Sequence, residues 1–242
     1  MGHSSVAAPA TIRRLAIVPG RGGSRRLPGK NVKPLGGRPL INHTVAVAKS
    51  AFDLVLVTSD SLGILESVDG GANVITTLRP PSLATDTAKV IDTVEYYHGE
   101  YEGHGFDQIW LCLPTCPLRR IEDVLGGQRT LTPDVDGVVS ITDFEFPPTL
   151  GLSIADGRLT GYTQGHPLAQ GDSRSQDQPL VYRPNGAFYG MWWESFRTHR
   201  NFYRGRIAPY LMPRDRSIDI DTETDFAIAA VLLALTASEI DR

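Results

Sequence analysis

The stretch from Leu15 to Leu35 constrains the fold more than any other part of this chain. Leu15 to Val18 is an unbroken apolar run of the length of a buried strand. It leads directly into a loop in which Gly20, Gly22, Gly23 and Gly29 alternate with Arg21, Arg25, Arg26 and Lys30. Glycines let a backbone turn through positive φ and approach a ligand closely. Successive N–H groups in such a loop form an anion-binding concavity, and the cations add the charge that a polyphosphate requires. The bland alternative is a basic surface turn. Its position just after the first strand, with Arg21, Ser24, Arg25 and Lys30 in one short span, favours phosphate binding. The loop is not a Walker motif, because no Gly-Lys-Ser/Thr follows at the required spacing. A dinucleotide fingerprint is excluded as well, since Arg25 rather than glycine follows Gly22 and Gly23 at the relevant step.

A chain of 242 residues with 21% charged residues has the composition of a globular domain able to bury a sizeable core. A net charge of −3 argues against a general nucleic-acid binder. Charge is distributed unevenly: no Asp or Glu precedes Asp53, whereas Asp215, Asp219, Asp221, Glu223 and Asp225 crowd one stretch near the end. A basic half for phosphates and an acidic cluster for a metal suit Mg-nucleotide chemistry, although charge clusters also form solvated faces. Cys112 and Cys116 lack a histidine at metal-ligand spacing and read as buried thiols of a reducing cytoplasm. The start of the chain has no secretory signal pattern, and its longest apolar run, Phe226 to Ala237, is too short to span a bilayer. A cytoplasmic protein without membrane partners is expected.

Hydrophobic periodicity predicts a helix over Pro39–Ala51 and strands over Asp53–Val57, Asn73–Thr76, Gln108–Leu113 and Val135–Thr142. Further helices are expected from Thr87 to His98 and from Phe226 to Ala237. Asp60, at the end of a strand, reads either as a crevice residue or as a simple helix cap, and Asp86 as a helix cap. Residues 143–181 lack periodicity apart from a turn signal at Ala155-Asp156-Gly157-Arg158, and a loop this long inside one domain is usually functional. In Ser217–Thr222 the alternation of Ile and Asp predicts a short strand with Asp219 and Asp221 on one face. Paired carboxylates there suit Mg²⁺, and Thr222 suits an N-cap. The expected architecture is a three-layer α/β sandwich with a mostly parallel, Rossmann-like sheet. It comprises residues 13–242, with an inserted arm at about 143–181 and a disordered tail at 1–12.

Several of these segments resemble the acylneuraminate cytidylyltransferase family, whose first motif reads roughly A-R-G-G-S-K-x-x-P-x-K-N. Arg21, Gly22, Gly23, Ser24, Pro28, Lys30 and Asn31 match it, while Gly20 replaces alanine and Arg25 replaces lysine. Arg79-Pro80, Leu83-Ala84 and Asp86-Thr87 resemble the segment whose arginine contacts the cytosine base. Pro114-Thr115 and Pro117-Leu118-Arg119 resemble Q-P-T-S-P-L-R, with Leu113 where the family's acceptor-contacting glutamine would stand. Arg174, Gln176 and Asp177 resemble R-x-Q-D of a dimerising arm, and Tyr182-Arg183 with Asn185–Tyr189 resembles a segment beside the acceptor. Asp219-Ile220-Asp221-Thr222 with Asp225 matches D-I-D-T-x-x-D, the family's metal motif.

The resemblance implies a Mg²⁺-dependent, dimeric cytidylyltransferase that joins CMP from CTP to an acidic acceptor. It assigns CTP to Arg21, Gly22, Ser24, Arg25, Lys30, Asn31, Arg79 and Thr115, and the acceptor to Leu113, Arg174, Gln176, Asn185 and Gly186. Arg21, Lys30, Asp219 and Asp221 are the expected catalytic set, the aspartates through the metal. A nonulosonic acid of sialic type is the leading acceptor. Because Leu113 cannot make amide hydrogen bonds, and no lysine follows Lys89, a small phosphonate is the alternative. A catalytically silent nucleotide-binding regulator is the reading from a different class.

Overall fold

The computed structural model describes residues 11–24, 26–85, 87–172 and 174–240. The expectations for Arg25, for Asp86 and for most of the N-terminal tail therefore lie outside the described residues. The first half of the chain runs through β1 (Arg14–Gly20), β2 (Pro34–Leu35), β3 (Arg38–Pro39), α1 (Leu40–Ala51), β4 (Leu54–Ser59), α2 (Leu62–Glu66) and β5 (Val74–Leu78). It continues with α3 (Val90–Glu100), β6 (Gln108–Leu111), α4 (Ile121–Thr130) and β7 (Gly137–Asp143). The arm contains β8 (Leu152–Ala155) and β9 (Arg158–Gly161), and the chain closes with β10 (Tyr182–Trp192), α5 (Trp193–His199), β11 (Ile207–Leu211) and α6 (Glu223–Ile240).

The main sheet has seven strands in the order β11-β7-β10-β6-β1-β4-β5. β1 pairs in parallel with β4 on one side and β6 on the other, and only β10 runs antiparallel, between β6 and β7. Because β4 and β5 extend the sheet in one direction and β6 lies in the other, the strand order reverses between β1 and β6. In open α/β sheets, ligands bind beyond the carboxyl ends of the strands at such a reversal.

Strand periodicity divides the core. Ala16 and Val18 face Ile41, Val45 and Val124 of α1 and α4, whereas Leu15 and Ile17 face Val94, Tyr97, Trp193 and Phe196 of α3 and α5. These side chains are almost entirely buried, each Val, Leu or Ile contributing about 1.5–3 kcal/mol of transfer free energy. A third cluster, Leu27, Leu35, Leu40, Ile220, Phe226 and Ala229, seats α6 against the loop that follows β1.

Three expectations change. The helix predicted from Thr87 starts at Val90, because the Asp92 carboxylate accepts the Lys89 N–H at 2.8 Å and sets the cap there. Residues 217–222 form no strand: a 3₁₀ turn at Arg214–Arg216 is followed by irregular backbone outside any ladder. The alternation there arises because Ile218 and Ile220 pack under α6. The span 143–181 contains an antiparallel hairpin whose turn, with φ of 51° at Asp156 and 71° at Gly157, is the one signalled in the sequence.

Mid-helix glycines Gly126 and Gly127 lower intrinsic helicity, yet packing explains them. A Cβ on Gly127 would lie 2.4 Å from Phe188 Cε2, so α4 can approach β10 only without a side chain there. Gly127→Ala is therefore expected to lower stability by about 1–3 kcal/mol, opposite in sign to its helix propensity, as read by chemical denaturation.

Candidate active site

The loop after β1 is pinned from both sides. The Gly22 N–H donates to Asp60 Oδ1 at 2.7 Å, and Asn31 Nδ2 donates to the Arg21 carbonyl at 2.9 Å. Asp60 therefore acts as a clamp on the loop, and Ser61 rather than Asp60 occupies the cap position of α2. Gly29, at φ 66°, turns the chain so that Lys30 points inward. Lys30 is buried, with Nζ 2.5 Å from the Ile220 carbonyl and 3.2 Å from Asp221 Oδ1.

Arg79 enters from the end of β5. It is buried, and its Nη2 donates to the carbonyls of Gly20 and Thr58 at 3.2 and 3.0 Å, while its Nε is buried without a partner. Burial lowers its pKa, with Arg21 adding to the effect and the Asp60 carboxylate opposing it. The exit of β6 supplies Leu113, Pro114 and Thr115. Arg119 holds that turn by donating to the carbonyls of Leu113 and Cys116, and the Leu113 N–H donates to the Gly186 carbonyl at 3.3 Å. Gly186 has φ 75° and faces Leu113 closely, a conformation that disfavours any side chain.

These elements enclose a cavity of about 410 Å³. Arg21, Gly23, Ser24, Arg26, Lys30 and Asn31 form its basic wall, and Leu113, Pro114 and Thr115 its floor. Arg79 and Asp221 close two further sides. Sequence reasoning missed the opposite wall, where Leu83, Thr85, Lys89, Val90 and Thr93 lie before and within the first turn of α3. It also missed an apolar annex of about 250 Å³, lined by Ile91, Leu111, Tyr189, Asn201, Phe202 and Tyr203, which shares Val90 and Leu113 with the first cavity. A candidate signal for the annex, the Asn201-Phe202-Tyr203 run, lies on a connection without periodicity.

The acidic segment is held in place by its neighbours. Ile220 N–H donates to the Thr115 carbonyl at 2.8 Å, and Arg216 grips Asp123 at 2.7 and 3.1 Å. Asn185, expected beside the acceptor, is instead completely buried behind the site. Its Nδ2 donates to Ser217 Oγ at 2.9 Å, and its Oδ1 accepts the Ala187 N–H at 3.1 Å, so it braces β10 against this segment. Asp225 accepts hydrogen bonds from Thr222 Oγ1 at 2.7 Å and from the N–H groups of Thr222 and Asp221 at 2.8 and 3.1 Å. Thr222 Oγ1 in turn accepts the Asp225 N–H at 3.3 Å, as expected of a cap.

Asp221 faces the cavity, paired with Lys30 and with Arg26, whose Nη2 is 2.6 Å from Oδ2. Asp219 is exposed, lines neither cavity, and lies within electrostatic reach of Tyr189 and Cys116. Arg174 and Gln176 are exposed on the arm and line neither cavity of this chain, Arg174 standing 3.8 Å from Asp177. Burial pushes the Cys112 thiol up to about 11 and the Cys116 thiol up to about 12, which removes both as thiolate nucleophiles at neutral pH. Among the described residues no group of three His, Cys, Asp or Glu side chains is arranged to hold a metal by itself.

A doubly wound α/β sheet with a cationic, glycine-rich loop at its switch point, facing a carboxylate, defines a nucleotide-binding protein of the nucleotidyltransferase type. The comparisons narrow this. Residues 15–113 match the Cytidylyltransferase family profile. The chain is 33% identical over 231 residues to the CMP-N,N'-diacetyllegionaminic acid synthase of Legionella pneumophila, covering 93% of this chain and 97% of that one. It is 32% identical over 221 residues to the N-acylneuraminate cytidylyltransferase of Streptococcus agalactiae serotype V, covering 89% of this chain and 52% of that protein. The chain thus spans about half the length of the streptococcal relative. The CTP complex of CMP:2-keto-3-deoxy-manno-octonic acid synthetase shares the fold, with a TM-score of 0.65 at 17% identity over 93% of this chain and 99% of the other. The chain belongs to the acylneuraminate cytidylyltransferase family.

The Asp225 contacts carry a pH signature. Burial raises its pKa, but the Thr222 hydroxyl and the two N–H groups outweigh that and lower it overall. A depressed carboxyl stabilises the fold above its unfolded pKa of about 3.9 and loses that contribution as pH falls through the folded value. Asp225→Asn should therefore lower Tm at pH 7, and the gap to wild type should narrow below about pH 4.

Proposed function

We propose that this protein transfers CMP from CTP to a nonulosonic acid of the sialic, legionaminic or pseudaminic kind and releases pyrophosphate. The observation that carries the reading is the cavity in which Arg21, Ser24 and Lys30 face Asp221 across the β1–β6 switch point. Family membership and the names borne by the relatives supply the nucleotide and the acceptor class.

In this reading an acceptor oxygen attacks the α-phosphorus of CTP, and the bond to the bridging oxygen of the β-phosphate breaks. Positioning and charge neutralisation dominate such in-line transfer. Arg21, Ser24 and Lys30, with Arg25, hold the triphosphate and offset charge growing on the leaving pyrophosphate, while Gly22, its N–H held by Asp60, keeps the loop close to it. Asn31 keeps the loop in shape through the Arg21 carbonyl. Arg79 and Thr115 lie on the walls that would receive the nucleoside.

The donor chemistry fits Mg²⁺ at Asp221, whose hard carboxylate oxygens face a cavity for phosphates that would complete the coordination, while Asp219 lies outside that lining. When bound, the cation supplies neutralisation and orientation of the phosphate oxygens. The acceptor's apolar substituents suit the annex beyond Leu113, where Tyr189, Phe202 and Tyr203 offer ring surface. Leu113 itself offers no hydrogen bond to a sugar hydroxyl, and that observation keeps a small phosphonate as the second reading.

The arm exposes Ile154, Leu159 and Tyr162 at 78, 68 and 73%. Apolar exposure of this extent suits burial against a second copy, with Arg174 and Gln176 offered to the partner's acceptor site. The homodimer would work in the cytoplasm, where CTP is available. No helix among the described residues is long and apolar enough to cross a membrane.

Pyrophosphate release from CTP, measured with sialic-type acids and small phosphonates in parallel, tests the reading. Turnover with a nonulosonic acid that stops in EDTA is expected, with Lys30→Ala and Asp221→Asn lowering kcat/KM by about 10²–10³-fold. Turnover with phosphonates alone would replace the acceptor. CTP binding without pyrophosphate release from any acceptor would return the silent regulator. Ile154→Asp with Leu159→Asp should convert a dimer to a monomer in sedimentation and raise KM for the acceptor more than for CTP.

A further inference from the structure

The carboxylate that faces the cavity is held by two cations of the opposite wall. Arg26 Nη2 is 2.6 Å from Asp221 Oδ2, and Lys30 Nζ is 3.2 Å from Oδ1, so both oxygens carry a positive partner. The two cations are anchored differently. The Lys30 side chain is 9% exposed and its ammonium also donates to the Ile220 carbonyl, which fixes it. The Arg26 side chain is 68% exposed and, among the described residues, its hydrogen-bonding partner is Asp221, with the Asp225 carboxylate within electrostatic reach. Arg26 also lines the cavity itself, within the wall assigned to the triphosphate.

The loop end beyond Lys30 is secured separately. Lys33 pairs with Glu223 and lies 4.6 Å over the Phe226 ring. A change of partner by Arg26 therefore requires only a side-chain rotation and leaves the loop backbone in place. As arranged, a divalent cation approaching Asp221 meets both positive charges, whereas a polyphosphate meets an arginine that can turn toward it. Guanidinium groups bind phosphate oxygens in the same forked geometry that they offer a carboxylate.

We propose that Arg26 is a positioning residue that latches Asp221. Without nucleotide it keeps the carboxylate closed to a divalent cation, and a bound triphosphate draws the guanidinium away and frees Asp221. Triphosphate and cation then bind with positive coupling, and by linkage each raises the affinity of the other equally. The proposal rests on reading the cavity as a Mg-CTP site. It adds a residue and an order to that reading: the nucleotide prepares the metal site.

Titration of the nucleotide-free protein with Mn²⁺, followed by the electron paramagnetic resonance signal of the free ion, tests the latch without turnover. Arg26→Ala is expected to bind Mn²⁺ roughly three- to fivefold more tightly than wild type, the scale of a partly exposed ion pair. Arg26→Lys, which keeps the charge, should stay near wild type, and Asp221→Asn in the Arg26→Ala background should abolish the gain. Unchanged or weaker Mn²⁺ binding by Arg26→Ala, with the circular dichroism of the folded protein intact, overturns the latch. A gain that survives Asp221→Asn overturns it as well. If Arg26→Ala does not fold, Arg26→Gln provides the same comparison. Calorimetry with CTP in saturating Mn²⁺ and no acceptor separates the two readings: failure of wild type to bind CTP removes the nucleotide site, while the Mn²⁺ series on the nucleotide-free protein still judges the latch.

Discussion

The buried ammonium of Lys30 joins parts of the chain that lie far apart in sequence. A cation withdrawn from water is tolerated only where charge and hydrogen-bonding partners replace the solvent. Here those partners are the Ile220 carbonyl and Asp221, so the loop after β1 and the segment before α6 are placed by the same contact. Ile220 passes the constraint on, because its N–H binds the Thr115 carbonyl at the exit of β6. Three walls of the cavity are thereby located relative to one ammonium nitrogen. The apolar cluster beneath α6 fastens the same junction from its dry side through Leu27 and Ile220.

The sheet supplies the rest of the geometry. Parallel neighbours on both sides of β1 bring the ends of β4, β5 and β6 to one edge, where Asp60, Arg79 and Leu113 arrive from separate strands. The antiparallel β10 then carries Tyr189 beside β6, next to the apolar annex. Two chemically opposite compartments consequently share one wall at Val90 and Leu113: one lined by charged groups and one lined mostly by carbon.

Much of this was legible in the sequence because strand and helix periods are local properties. The apolar runs at Leu15–Val18 and Gln108–Leu113, and the turn at Asp156-Gly157, could be read without knowing the partners. Side-chain assignments that depend on long-range packing were not legible. Asn185 sits in a motif expected beside the acceptor, yet the polar group it must satisfy, Ser217, lies 32 residues later, and that pairing draws it into the interior. The Ile-Asp alternation at 218–221 mimics a strand because burial under a helix imposes the same inward–outward pattern as a sheet. Asp60 carried two readings, crevice residue and helix cap, and took neither role, because the Gly22 N–H, 38 residues earlier, claims its carboxylate. The annex depends on residues from α3, β6, β10 and the connection before β11, and no single window of sequence contains it.

The dependence of Lys30 on Asp221 also bears on how the chain matures. During synthesis the basic loop leaves the ribosome roughly 190 residues before the carboxylate that completes its surroundings, at a separation given by the Lys30–Asp221 contact itself. Until then the ammonium has neither Asp221 nor the Ile220 carbonyl and must remain hydrated, which keeps the neighbouring turn from docking. The parallel core around β1, β4 and β6 can assemble early, but a nascent polypeptide arrested before residue 220 holds an unfinished pocket. Acquisition of nucleotide affinity would then mark the moment at which the loop after β1 meets the segment before α6.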